Sequence, residues 1–440
     1  MIKSSEKNQR GPVGEAKWRV LVFPGATEIA MELRQALAWC KEVSLFSAGS
    51  PVSNHAPFVF ARHFVLPAVH QPRWLDELST LVETNQITHI FPAHDDALLA
   101  LAENAGRIKA KIVTSPLETC RLTRSKTATL RRLAGAVPTP ELFQVPGEVK
   151  TWPVFLKPDR GQGSQRTTLA PNAAELAALL MQDPDRIILE YLEGPEYTVD
   201  CFSDRDQGLQ YASGRIRRRI RSGIAMDSAI IKDARFWEYA EKISKKFELH
   251  GAWFFQVKAD RQGVLKVMEV APRIGGTSAL SRAQGVNLPL LSLYESERLP
   301  VRLTPGDYSV EIDRALVNRY HHNITYQTIY VDFDDTLVIR GMLNVELVKL
   351  LYLGINRGVR LVLLTRHNGD LKFQLRRWRL ENLFDEVVHL GPDDLKSTFI
   401  RDPQAIFIDD SFREREEVRR TKGIPVFDVS TLEVLLDDRI

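Results

Sequence analysis

GAWFFQVKADRQGVLKVMEVAPRIGG, from Gly251 to Gly276, contains two runs rich in aromatic and β-branched residues. Trp253–Lys258 and Val264–Val270 flank Asp260-Arg261-Gln262-Gly263. That pattern predicts a β-hairpin, with Gly263 in the turn conformation that costs other residues most. Such a hairpin lets Gln256 on one strand meet Glu269 on the other above a cleft. Arg273 follows in a Pro-Arg-Ile-Gly-Gly segment that must bend sharply. A carboxylate, an amide oxygen and a guanidinium at one strand end suit a Mg²⁺-bound polyphosphate, with hard oxygens for the metal and the arginine for phosphate. The same residues equally fit a buried hairpin with a structural Glu–Arg pair. This stretch alone leaves both readings open.

At 440 residues the chain is too long for one core, which implies about two to four domains. A hydrophobic content of 44% and a charged content of 26% place it among ordinary soluble globular proteins. A net charge of +3 is too small to call for a nucleic-acid or membrane partner. Cys40, Cys120 and Cys201 are isolated, lack paired metal spacing and read as core thiols of a reducing compartment. No apolar run is long enough to span a bilayer. The start, MIKSSEKNQRGPVGEAK, lacks the apolar core of a signal peptide and reads as a loose tail. The expected location is cytoplasmic.

From Trp18 the pattern alternates strand and helix. Arg19–Phe23, Glu42–Ser47 and His89–Pro92 read as strands, and Glu28–Trp39 and Trp74–Glu83 as helices. This is the grammar of an open parallel sheet, whose ligands sit past the carboxyl ends of strands. His94, Asp95 and Asp96 lie at one such end, but are expected first as solvated helix-start residues favoured by the helix dipole. A capped helix begins at Thr123-Arg124-Ser125-Lys126, and the strand Pro153–Lys157 runs into Pro158-Asp159-Arg160-Gly161-Gln162-Gly163-Ser164. A lysine at a strand end followed by a glycine-containing loop is suited to cradling phosphate. The strand Ile187–Glu190 opens into Glu190-Tyr191-Leu192, a hinge able to offer backbone hydrogen bonds to an adenine, and Glu196 can hold ribose hydroxyls. In GRIRRRIRSG, Arg215, Arg217, Arg219 and Arg221 alternate, so a regular strand would put these four on one face, toward polyphosphate, acyl phosphate or a carboxylate.

Taken in order, Lys126, LKPDRGQGS, ILEYLEGPEYTVD and MEVAPRIGG resemble the ATP-grasp superfamily, in the flavour of the carbamoyl-phosphate-synthetase-like carboxylate–amine ligases. The resemblance covers roughly 17 to 318. It implies that Lys126 and Lys157 contact ATP phosphates while Gly161, Gly163 and Ser164 close over them. By the same resemblance Glu190, Tyr191 and Leu192 frame the adenine and Glu196 binds the ribose. Arg217 and Arg219 join the nucleotide site, Gln256 and Glu269 match metal positions for Mg²⁺, and Arg273 steadies the transferring phosphoryl group. The family usually carries Glu-x-Asn where this chain has Glu269-Val270-Ala271, and a methyl group cannot ligate a metal. Water or Gln256 would have to complete the site.

After the polar stretch Asn318–Thr325, the strand Gln327–Val331 leads to Asp332-Phe333-Asp334-Asp335-Thr336. Val359–Leu364 ends in Thr365, Lys396 follows, and Ala405–Ile408 ends in Asp409-Asp410. This set resembles the haloacid dehalogenase-type phosphatases across about 327 to 440. The resemblance makes Asp332 the nucleophile and Asp334 the acid–base, with Thr365 and Lys396 holding phosphoryl oxygens. Mg²⁺ falls to Asp332, the Asp334 carbonyl and Asp410, with Asp409 as ligand or support. Asp332 and Thr365 are 33 residues apart and Lys396 and Asp409 are 13 apart, too close for a large cap domain and consistent with an open site.

The expected fold class is therefore α/β and α+β. A flexible tail (1–16) precedes a Rossmann-like pre-ATP-grasp domain (17–120), an ATP-grasp domain (121–318) and a Rossmann-like haloacid dehalogenase-type domain (319–440) without a large cap. The expected activity is bifunctional: ligation of small-molecule carboxylate and amine substrates through an acyl phosphate, and hydrolysis of a linked phosphorylated substrate or intermediate. Expected cofactors are ATP and Mg²⁺, and a homo-oligomer stays open. The alternative is an ATP-binding regulatory module, its ligase chemistry weakened by Ala271, that controls a working phosphatase.

Overall fold

Trp18–Phe23 (β1) reads WRVLVF, apolar at every position but Arg19, which suits a strand covered on both faces. It is the central strand of a five-stranded parallel sheet in the computed structural model, which describes residues 16–161, 165–437 and 439. The residues of the expected tail before 16 lie outside the described residues. β2 (Val43–Gly49) and β3 (His63–Val65) extend the sheet on one side, β4 (His89–Pro92) and β5 (Lys111–Ile112) on the other. The strand order, β3-β2-β1-β4-β5, reverses between β1 and β4, which opens a crevice past their carboxyl ends. Two helices start from its rim. Thr27 caps Glu28–Leu37 by accepting from the Ala30 N–H at 3.0 Å. His94 caps Asp95–Glu103 by accepting from the Asp96 N–H at 3.2 Å.

Two antiparallel sheets follow. β6 (Leu142–Phe143), β7 (Val154–Pro158), β8 (Thr168–Ala170) and β9 (Arg186–Glu190) are ordered β6-β9-β7-β8. The larger sheet contains β10 (Glu196–Asp204), β11 (Gly208–Arg221), β12 (Ile224–Ile231), β13 (Gly251–Ala259), β14 (Leu265–Ala271) and β15 (Glu311–Asp313). Its order is β14-β13-β10-β11-β12-β15. β13 and β14 are the expected hairpin: Gly263 turns at φ +78° and Gln256 is the cross-strand partner of Glu269. The inner faces of β10 and β13 bury Val199, Cys201, Phe255 and Val257 against Phe236 and Ile243 of the helix Ala234–Ser244.

The chain divides between Leu316 and Val317 into two compact units. Within the first, the parallel sheet and the antiparallel ones share a core, since Val20 and Val22 of β1 pack in one cluster with Phe202, Ala252 and Leu293. Polar ties reinforce it: Thr114 donates to the Pro272 carbonyl at 2.9 Å and Arg282 pairs with Glu32 at 2.9 Å.

The second unit is built on β16 (Thr328–Val331), buried throughout. A ribbon of β17 (Val338–Ile339) and β18 (Met342–Leu343) follows, then β19 (Arg360–Thr365), β20 (Glu386–His389), β21 (Ala405–Ile408) and β22 (Val426–Phe427). The sheet, β20-β19-β16-β21-β22, is parallel throughout. Leu347, Leu350 and Leu351 cover one face and Val418 the other. Between β16 and β19 the described residues hold the ribbon and the helix Val345–Asn356, with no large cap. Among the described residues no helix is long and apolar enough to cross a membrane.

Gly214 on β11 lies directly against the helix Ala234–Ser244: a Cβ there would stand 2.1 Å from Phe236 ring carbons. Gly214→Ala is expected to cost about 1–3 kcal/mol as the ring is forced aside. Denaturant unfolding of the full chain checks this, and an unchanged midpoint contradicts the packing described.

Candidate active sites

A cavity of about 750 Å³ lies over the β13–β14 hairpin and reaches the crevice past β1 and β4. β13 sets its length. Lys258, Gln256 and Phe254 all line it, and at about 3.3 Å per residue they span about 13 Å. Tyr191, under the Lys258 ammonium at 5.8 Å, marks one end. Gly275, beside Phe254 and Arg215, marks the other.

The first end gathers the expected nucleotide residues. Ser125 caps the helix Lys126–Leu133, which aims Lys126 at the loop after β7, where its ammonium donates to the Gly161 carbonyl at 2.9 Å. Lys157 projects from β7 and is 9% exposed. Burial first, then the Lys126 charge, pull its pKa down to about 8 against partial support from Glu269 and Glu196. The Glu190 carboxylate is held by Lys266 at 2.6 and 2.7 Å, while Leu192 lines the wall. Glu196 accepts from Arg217 at 2.6 Å. Gly163 and Ser164 lie outside the described residues.

The arginine stripe departs from expectation. Register shifts in the β11–β12 ladder fall between Arg217 and Arg219 and again between Arg219 and Ile220, so strict alternation is lost. Arg215 and Arg217 line the cavity together with Ile220. Arg219 is instead exposed and paired with Asp313 on β15 at 2.7 Å, and Arg221 is exposed, so neither faces the cavity. Arg215 is buried, ion-paired with Asp200, and donates to Thr277 Oγ1 at 2.8 Å.

Gln256 and Glu269 face each other at the cavity wall, as cross-strand pairing dictates. Ala271 ends β14 as a buried methyl, 4% exposed, and its side chain offers no ligand atom, as the sequence already implies. Arg273 stacks over Phe254 at 5.1 Å and is held by Asp95 at 2.6 and 2.9 Å. This corrects the expectation of a solvated helix start. Asp95 lines the cavity, and although burial works to raise its pKa, the Arg273 charge holds it below the usual carboxylate range. Glu28 and Arg314 also line this end. The sequence reading missed both: Glu28 carries the weak signal of lying just past a strand end, and Arg314 carries none.

In the second unit, the residues expected from four separate stretches meet past the carboxyl ends of β16, β19 and β21. Lys396 donates to Asp332 at 2.7 Å and to Asp409 at 2.6 Å, with all three buried. Burial raises the Asp332 pKa and pushes Asp409 up to about 6, with Lys396 opposing both shifts. Oxygens of Asp332, Asp409 and Asp410 lie within 4.8 Å of one another, close enough to hold one cation. Thr365 is buried at the end of β19, its hydroxyl bonded toward Asp332. Asp334 is exposed and meets His367 Nδ1 at 2.9 Å. Thr336 donates to Asp410 Oδ1 at 3.1 Å. His367 and Thr336 were not assigned roles from sequence.

Residues 182–313 match a family model described as ATP-grasp in the biosynthetic pathway with Ter operon. Solved structures that share the fold over part of the chain include the biotin carboxylase–β,γ-ATP complex of Campylobacter jejuni, at 14% identity and TM-score 0.54, covering 65% of this chain and 72% of that one. The biotin carboxylase domain of Hydrogenobacter thermophilus 2-oxoglutarate carboxylase, with MgADP and bicarbonate, gives 15%, 0.55, 65% and 71%. N5-carboxyaminoimidazole synthetase of Staphylococcus aureus, with ADP, gives 14%, 0.53, 65% and 78%. A search of curated proteins finds no match. The chain contains a region with the ATP-grasp fold within a mixed α/β architecture.

Lys157 tests the electrostatics of the cavity. A buried ammonium whose folded pKa is about 8, below its ordinary 10.5, costs stability while charged. That cost is fully present below about pH 8 and fades as the pH rises toward 10.5. Lys157→Met is expected to stabilise the chain by about 2 kcal/mol near neutral pH. The advantage should narrow above about pH 8 in paired unfolding curves; a gap that does not change with pH contradicts the assignment.

Proposed function

We propose that the chain is a bifunctional enzyme: an ATP-dependent carboxylate–amine ligase with a phosphatase of the haloacid dehalogenase type. The observation that carries the first half is the convergence of Lys126, Lys157, Glu269 and Arg273 on one cavity in an ATP-grasp domain. In this reading the adenine lies by Tyr191 and Leu192 and the phosphates lie along Lys126 and Lys157. A substrate carboxylate oxygen attacks the terminal phosphorus, ADP leaves, and an amine then displaces phosphate from the acyl phosphate. Arg273 and Lys157 offset the charge that builds on the transferring oxygens. Gln256 and Glu269 supply the hard oxygens that Mg²⁺ prefers, and the ion, when bound, would neutralise phosphate charge there.

The second half rests on Lys396 bridging Asp332 and Asp409 beside Asp410. Asp332 Oδ is proposed to attack phosphorus, forming an aspartyl phosphate as the alcohol leaves. Asp334, exposed and in contact with His367, would give that alcohol its proton and later take one from water. Asp332, Asp409 and Asp410 form an all-oxygen set that fits Mg²⁺, which would shield the phosphoryl charge from the nucleophile. Carrying both activities on one chain raises their mutual effective concentration and favours linked substrates. The domain limits proposed are 17–120, 121–318 and 319–440. Location in the cytoplasm is proposed from the free thiols.

The full chain, given Mg²⁺, ATP and paired acids and amines, should release ADP and phosphate only when both substrates are present. Glu269→Ala is expected to lower that turnover at least about 100-fold. Undiminished turnover in Glu269→Ala or in Lys157→Ala refutes the ligase site. The buried Ala271 methyl motivates a second reading, an ATP-binding regulatory module, which predicts tight ATP binding with no ADP formed. Asp332→Asn should abolish hydrolysis of a generic phosphate ester, leave ligation intact and let a phosphorylated compound accumulate. Loss of ligation in a folded Asp332→Asn protein refutes independent sites, and absence of accumulation refutes linked substrates.

A further inference from the structure

Two opposite charges, Glu28 and Arg314, attract one another without a direct hydrogen bond at the end of the cavity away from Tyr191, with Glu32 also acting on Arg314. Glu28 opens the helix that follows β1 and Arg314 follows β15; both are half-buried and both line the cavity. Among the described residues, neither side chain makes a hydrogen bond or a close ion pair. They nevertheless flank the same backbone position. A Cβ at Gly276 would lie 2.8 Å from Glu28 Cγ and 3.7 Å from Arg314 Nη1. Glycine there keeps the space between the two groups open. The nearby polar wall is already engaged: Arg215 with Asp200 and Thr277, Arg273 with Asp95.

That arrangement selects by charge. A simple anion seated against Arg314 would face the Glu28 carboxylate, and a simple cation against Glu28 would face the Arg314 guanidinium; either repulsion weakens binding in a half-buried site. A molecule bearing an ammonium and a carboxylate on one carbon satisfies both groups at once. Its polar ends are replaced in kind as water leaves, which is where charge-assisted hydrogen bonds are strongest.

We propose that this end of the cavity binds an α-amino acid as its zwitterion, the ammonium on Glu28 and the carboxylate on Arg314. The amino acid is then one of the two molecules joined, so the proposal rests on the ligase reading. It narrows that reading from any acid or amine to a substrate carrying both groups.

The test is equilibrium binding to the full chain by calorimetry, first with MgATP alone and then with the common L-amino acids in its presence. Every amino acid that binds is compared with its N-acetyl derivative and with the amine lacking its carboxylate. At least one free amino acid should bind, with both analogues weaker by about tenfold or more, the value of one charge-assisted contact. In folded variants, Glu28→Gln should weaken the amino acid about tenfold while changing its N-acetyl derivative little. Arg314→Met should weaken the amino acid likewise and change the descarboxy amine little. MgATP binding with no amino acid recognised overturns the subsite and leaves the ligase reading standing. Analogues that bind as tightly as the parent also overturn it, and this arm needs no variant. Absence of MgATP binding overturns the ligase reading and the subsite with it.

Discussion

The ion pair between Asp95 and Arg273 joins residues 178 apart in sequence and lies where the carboxyl end of β4 meets the segment after β14. Both side chains are largely shielded from water, at 14% and 10% exposure, so neither charge is tolerable alone. Their contact sets the first helix turn past the parallel sheet against the antiparallel hairpin. The cavity wall is therefore continuous from Tyr191 to Glu28. Phe254 beneath the guanidinium fixes its height above β13, level with Gly275. The site belongs to neither sheet alone. It exists because the two share a core through Phe202, Ala252 and Leu293.

The second unit solves a related problem with one lysine. Asp332 and Asp409 are carboxylates brought together at the ends of adjacent parallel strands, and their mutual repulsion would oppose that sheet order. Lys396, buried between them, offsets it: burial alone would lower its pKa, but the two carboxylates raise it. The same geometry leaves oxygens of Asp332, Asp409 and Asp410 within 4.8 Å of one another. Structure and chemistry there draw on the same charges.

How much of this could be read in advance depended on how local the cause was. The β13–β14 hairpin was legible because alternation and Gly263 set its register, and register alone puts Gln256 opposite Glu269. Asp332, Thr365 and Asp409 of the second unit were legible for a related reason, each closing a short apolar strand, whereas Lys396 opens the helix Lys396–Phe399. The arginine run was misread at Arg219 because a bulge shifts phase without any residue that announces it. Asp95 was misread because an acidic first turn is normally satisfied by its own helix dipole, and its partner lies in a distant segment. Glu28 and Arg314 converge only through tertiary packing around Gly276, which no window of sequence contains.

In the proposed reaction the cavity passes a carboxylate through an acyl phosphate. Carboxylate oxygen labelled with the heavy isotope tests it most directly, with the released inorganic phosphate examined by mass spectrometry after turnover by the full chain. The account predicts one labelled oxygen transferred into each phosphate formed with product. Product formed with unlabelled phosphate would contradict it.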